Sequence, residues 1–187
     1  MLFTLTPAAR PDGYGEGLIP LAQAKAWLRV LHDDEDDLIR VLRDMGLDMV
    51  EQYTGTRLAP TSLTVTFDSF GDDMPLPVGP AASIVVSAIG YVPPAGGSAS
   101  VSAWRVDPLG RLQPALGAVW PAGASRVTVA FTAGFAAGTV PAALLTAARM
   151  FMAVLYDQRE TLMSDGVEAD LPRGFRALCG PWRRVLI

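Results

Sequence analysis

Residues that commonly carry chemistry are scarce in this 187-residue chain, which has one cysteine, one histidine and one lysine. A single cysteine, Cys179, excludes an intrachain disulfide, a CxxC pair and a four-cysteine zinc site. The lone lysine, Lys25, stands in no G-x-x-x-x-G-K-[ST] loop, and no G-x-S-x-G elbow is present. Any serine or cysteine nucleophile would have to borrow its base from His32. No basic run occurs before Arg183-Arg184 and the formal net charge is -4, so the basic face of a free-standing DNA binder is missing. The first residues lack a basic segment followed by a long apolar one, so no secretory signal is expected. The longest apolar stretch, Ala142 to Tyr156, contains Thr146 and Arg149 and falls short of the roughly 20 residues a membrane span needs. A soluble chain made in a cytoplasm is expected.

Hydrophobic residues make up 50% of the sequence and charged ones 18%, which excludes disorder throughout and allows one core with an inserted subdomain. Residues 1–19 read as a flexible arm, because Pro7, Pro11, Gly13, Gly15 and Gly17 break any regular pattern. Gly13-Tyr14-Gly15-Glu16-Gly17 follows no strand, which argues against a nucleotide fingerprint. Residues 20–58 read as two helices. The first starts at Pro20. The second follows Asp33-Asp34-Glu35-Asp36-Asp37, where negative charge suits a helix start. In that second helix Leu38, Val41, Leu42, Met45, Met49 and Tyr53 recur at helical spacing and predict the buried face. Leu47 then falls among Arg40, Arg43, Asp44, Asp48 and Glu51, an exposed apolar side chain and a candidate for a subunit interface. Gly55 is placed to cap the end.

From Pro60 the period becomes two. Leu63, Val65 and Phe67 alternate with threonines and Asp68, and Val127, Val129 and Phe131 alternate likewise. Ser83 to Val92 and Val101 to Asp107 are further strand candidates, separated by a loop at Pro93 to Ser98. Residues 59–138 thus read as a β-rich insertion, and residues 139–187 as C-terminal helices with a tail. The fold class is α+β: a small helical bundle core with an inserted antiparallel β-region. The helix expected at 141–160 is apolar nearly all round, more than one small chain can cover, and points to burial against another subunit.

The chemistry-bearing clusters have plain readings. The acidic run lacks the glycine of a calcium loop, since Leu38 holds the sixth position. Helix capping with a solvated charge patch is one reading. A wall of a DNA channel, repelling DNA by like charge, is the other. Cys179 sits among apolar neighbours and reads as a small buried hydrophobe. Trp182 with Arg183 and Arg184 has the composition of an interface, or Trp182 packs on its own chain.

Four blocks of the chain resemble phage head–tail connector proteins. Leu21 to Val30 followed by His32-Asp33-Asp34-Glu35-Asp36-Asp37-Leu38-Ile39 is similar to the family's opening. Glu51-Gln52-Tyr53-Thr54-Gly55-Thr56-Arg57-Leu58 resembles the end of its second helix. Phe131-Thr132-Ala133-Gly134-Phe135, Val140-Pro141 and Leu155 to Glu160 resemble its third block, and Leu171-Pro172, Arg176-Ala177-Leu178 and Pro181-Trp182-Arg183 its last. The resemblance covers residues 20–58 and 126–187, and it extends to the adaptors of gene transfer agents. It implies a non-catalytic ring of about twelve copies beneath a portal protein, continuing the DNA channel toward a stopper or tail-completion protein. DNA would pass without sequence-specific binding, and no cofactor or metal is called for. The tail Pro181, Trp182, Arg183, Arg184, Val185, Leu186 and Ile187 would reach the portal, loosely packed until it docks. Asp33, Asp34, Glu35, Asp36 and Asp37 would face the channel. Other readings are a neighbouring junction component (stopper or tail-completion protein), a hydrolase using His32, or a DNA-binding packaging accessory, the last disfavoured by the acidity.

Overall fold

The computed structural model describes residues 3–6, 10–72, 74–158, 171 and 173–184. These follow the order β1 (Phe3–Thr6), α1 (Tyr14–Leu18), α2 (Leu21–Leu28), α3 (Asp36–Thr54), β2 (Thr61–Phe67), β3 (Met74–Pro75), β4 (Val85–Val92), β5 (Ala99–Val101), β6 (Trp104–Val106), β7 (Arg111–Pro114), β8 (Ser125–Ala133), α4 (Ala142–Asp157) and α5 (Arg173–Cys179). The fold is α+β. Its chain segments form two compact units. A β unit combines Met1–Arg10, Ala59–Ala136 and Arg184–Ile187, and a helical unit combines Pro11–Leu58 and Ala137–Arg183.

In the β unit every strand pairing is antiparallel. One sheet runs β1-β2-β8-β4-β5 and the other β3-β7-β6. The two-residue period of β2 and β8 sets their register: Leu63 faces Phe131, Val65 faces Val129 and Phe67 faces Val127. All six are buried and join Met74 and Leu112 of the second sheet, with Leu76 just beyond β3, in one core. Burying such side chains contributes about 1.5–3 kcal/mol each, which is why register slips here are disfavoured. The predicted strand at 101–107 is in fact two, β5 and β6, placed in different sheets.

Of the segment read as a flexible arm, residues 3–6 and 14–18 are ordered into regular structure. Phe3–Thr6 adds an edge strand to β2, with Phe3 opposite Phe67. Tyr14–Leu18 is helical, and Tyr14 and Ile19 are buried in the helical unit. One of the glycines that break the pattern leaves room for this. A side chain at Gly15 would collide with Arg43 and Asp44.

The helical unit is organised by α3, whose buried face is turned about a third of a turn from the apolar stripe of its sequence. Ile39, Leu42, Arg43, Gly46, Leu47, Val50, Glu51 and Thr54 point inward. Leu47, expected to be exposed, is 0% exposed. Two of the inward residues are charged, and both are paired. Glu51 accepts from the Tyr14 hydroxyl, from the Leu58 amide at 2.8 Å and from Arg57 at 2.7 Å. Arg43 donates to Glu16 at 2.7 Å, Asp44 at 2.9 Å and the Ile19 carbonyl at 3.3 Å. A short α1 supplies the partners that make this face burial-competent, since buried charge is tolerated only when it is hydrogen-bonded. On the same face Gly46 lets α4 approach closely: a β-carbon there would lie 2.5 Å from the Ala148 carbonyl oxygen. Gly55 closes α3 at φ 67°, its amide donating to the Glu51 carbonyl.

Helix α4 buries Leu144, Ala147, Ala148, Phe151, Met152 and Leu155. Its large apolar residues are buried or half-buried, because α2, α3 and α5 of its own chain pack against it. Surplus apolar surface lies on α3 instead, where Leu38, Val41 and Met45 face outward.

Glu51→Gln should lower the unfolding free energy by about 2–3 kcal/mol, because it removes the charge from a buried pair and sets an amide donor against Arg57. A fall in the urea midpoint at unchanged slope checks this. A midpoint equal to that of the parent would show that the carboxylate is dispensable.

Candidate interaction surfaces

Two surfaces correspond to the residues singled out in the sequence, and a third adds to them. The first is the acidic run at the start of α3. Asp36 and Asp37 occupy its first turn, and Glu35 is the capping residue without a side-chain cap bond. The carboxylates are engaged elsewhere. Lys25 pairs with Asp33 and, at 2.7 Å, with Asp36. Arg40 reaches Asp37 at 2.6 Å. Glu35 accepts from the Tyr156 hydroxyl. Two basic side chains therefore hold three of the five carboxylates, and the run is a mixed network rather than an open row of negative charge. Lys25 holds the Asp33 carboxyl below its ordinary value, chiefly through their hydrogen bond, and the same bond raises the Lys25 ammonium. His32 is half-exposed, with ring nitrogens 3.9 Å from Asp34 and 4.0 Å from Glu35. Its ring nitrogens thus face carboxylates. Among the described residues no cluster of histidine, cysteine and carboxylates could hold a metal ion.

The second surface is the C-terminal segment. Helix α5 buries Phe175, which meets Tyr53 edge-on at 5.5 Å and Phe151 at 6.2 Å. Cys179 is buried, and burial pushes its thiol up to about 11, so it is not a reactive thiolate at neutral pH. A 3-10 turn at Gly180–Trp182 follows, containing Pro181. Trp182 is 40% exposed. Arg183 stacks over the Tyr53 ring at 5.5 Å. Arg184 is not loose. Its guanidinium donates to the carbonyls of Val78 at 3.1 Å, Leu109 at 3.1 Å and Gly110 at 3.4 Å. Desolvation holds its pKa below the ordinary value, with Asp107 opposing. Read from the sequence as part of an interface, Arg184 is committed to backbone oxygens of its own β unit. Val185, Leu186 and Ile187 lie outside the described residues.

The third surface was not anticipated. Pro114 to Ala124 has no charged side chain, and Leu116 and Val119 within it are 89% and 88% exposed. The loop is pinned at its base. Trp120 stacks on Phe70 at 4.7 Å between ring centres, and the Ala115 amide donates to the Ala103 carbonyl. An open hollow of about 680 Å³ lies against it, lined in part by Phe70, Asp72, Arg105, Gln113 and Trp120. Lack of charge over eleven residues was the one available signal in the sequence.

No helix among the described residues is long and apolar enough to cross a membrane. One chain thus carries an all-antiparallel β unit and a helical bundle, each with exposed apolar side chains. No family model matches the sequence, and no curated protein is similar to it. Solved structures are. The chain is similar to one from the virion of a native gene transfer agent (GTA) particle, with TM-score 0.74 and 28% identity over 98% of this chain and 96% of that one. It is similar to a chain from the neck of an empty GTA particle computed with C6 symmetry, with TM-score 0.74 and 27% identity over 98% and 97%. A chain from the neck of a native GTA particle computed with C12 symmetry gives TM-score 0.73 and 27% identity over the same shares. This end-to-end likeness supports a structural component of a phage or GTA particle neck.

Arg184→Ala should destabilise the β unit by about 1–2 kcal/mol, since three carbonyls lose a charged donor. Chemical unfolding followed by tryptophan fluorescence, in a Trp27→Phe and Trp182→Phe background that leaves Trp104 and Trp120 of the β unit, reads this. An unchanged midpoint would mean that water replaces the guanidinium without loss.

Proposed function

We propose that the chain is the head–tail adaptor of a GTA or tailed phage. About twelve copies form a ring beneath the portal and continue the DNA channel toward the stopper and tail. The role is structural and non-catalytic, and DNA passes without sequence-specific contact. The single observation that carries this reading is the likeness, over 98% of the chain, to a chain from a particle neck computed with C12 symmetry. The four sequence blocks that resemble head–tail connectors favour the adaptor over its neighbours in the junction.

Docking to the portal is assigned to the segment 181–187. With Arg184 held by this chain's own carbonyls, the groups on offer are Trp182, Arg183 and the apolar residues Val185, Leu186 and Ile187. The acidic run is assigned to the channel side, its net negative charge reduced by Lys25 and Arg40.

Electron microscopy of particles carrying a tag inserted after Gly96 tests the assignment. Density directly beneath the portal is expected. Density on the capsid shell, or separated from the portal by another ring, would overturn the adaptor reading. Removing residues 185–187 should leave a folded chain and filled heads that fail to acquire tails. Normal numbers of tailed particles would remove the docking role.

A further inference from the structure

Helix α3 turns an apolar stripe outward. Leu38, Val41 and Met45 lie at i, i+3 and i+7 on one face, and Val41 is 56% exposed. Asp44 and Asp48 flank them, at helical spacing on one side. Exposed apolar groups of this kind mark interaction sites. In the β unit the charge-free loop 114–124 holds Leu116 and Val119 outward, on a base fixed by Trp120 and Phe70. A closed ring is built head to tail, so each copy must carry two unlike patches that fit one another. The two units differ in the required sense. The helical unit has ten basic residues against fifteen acidic ones, whereas the β unit has five arginines against four aspartates. Helical face on helical face would set acid against acid. The β unit offers exposed Arg105, which lines the same hollow as Leu116 and Val119, to an acid-flanked stripe.

We propose that the α3 stripe Leu38, Val41 and Met45 of one copy seats the loop tip Leu116 and Val119 of the next. This inference rests on the ring reading above and names its contact. The loop is preorganised by its stacked aromatic base, so little ordering entropy is lost when it docks. Neither patch is needed for the fold of the chain that bears it, because both are exposed.

The test places a photoreactive benzoylphenylalanine at Val119 in cells that assemble the particles. Purified particles are irradiated and crosslinked peptides sequenced. Crosslinks from position 119 to residues 38–45 of a second copy are expected, and Val41→Asp should abolish them while leaving the circular dichroism spectrum of the isolated chain unchanged. A second probe at Val41 should return the reciprocal crosslink to the loop. Crosslinks only to a different particle protein, or none although micrographs of the same particles show the ring, would overturn the α3 seat and leave the ring standing. Absence of any ring in those micrographs would overturn both readings together.

Discussion

A carboxylate almost cut off from water sits where the last turn of α3 meets the chain leaving it. Glu51 accepts hydrogen bonds from Tyr14, Arg57 and the Leu58 amide, and so joins α1, α3 and the exit from α3 in one network. Such a charge costs several kcal/mol to bury unless each oxygen is satisfied. That requirement fixes two things at once. It draws residues 14–18 into a helix against α3, and it sets which face of α3 points inward. Arg43, about two turns earlier on the same face, is held the same way by Glu16 and Asp44.

The rotation of α3 carries consequences outward. With Leu47 and Val50 turned into the core, Leu38, Val41 and Met45 have no place in it and remain on the surface. A helix that buries Arg43 and Glu51 while leaving Leu38, Val41 and Met45 outside is costly for a solitary protein. It makes sense in a chain that spends its working life against others. The buried network and the proposed seat for the next copy are therefore two sides of one constraint.

Much of this fold was legible beforehand. The helices at 21–28, 36–54 and 142–157, the strands β2, β4 and β8, and the cap at Gly55 follow from period, proline and glycine. What escaped depended on distant partners. Periodicity ranks residues by hydrophobicity, so it placed Arg43 and Glu51 outside; their burial depends on Tyr14 and Glu16, which a glycine-rich segment did not suggest. The same rule put Leu47 outside. Helix α4 looked too apolar for one chain because the cover from α2, α3 and α5 could not be counted. Arg184 looked like a partner-seeking cation because three backbone carbonyls of the β unit leave no mark in composition. Strands β3 and β7 are too short for an alternation to register.

Which side of α3 faces water decides between these pictures, and thiol labelling reads it directly. In a Cys179→Ala background, Val41→Cys and Leu47→Cys are each treated with a small thiol reagent in the folded, unassembled chain. Val41→Cys should react at nearly the rate of the unfolded chain, and Leu47→Cys should be slower by about 100-fold or more, limited by opening of the core. Equal rates, or a protected Val41→Cys beside a reactive Leu47→Cys, would contradict the burial of the Arg43 and Glu51 face.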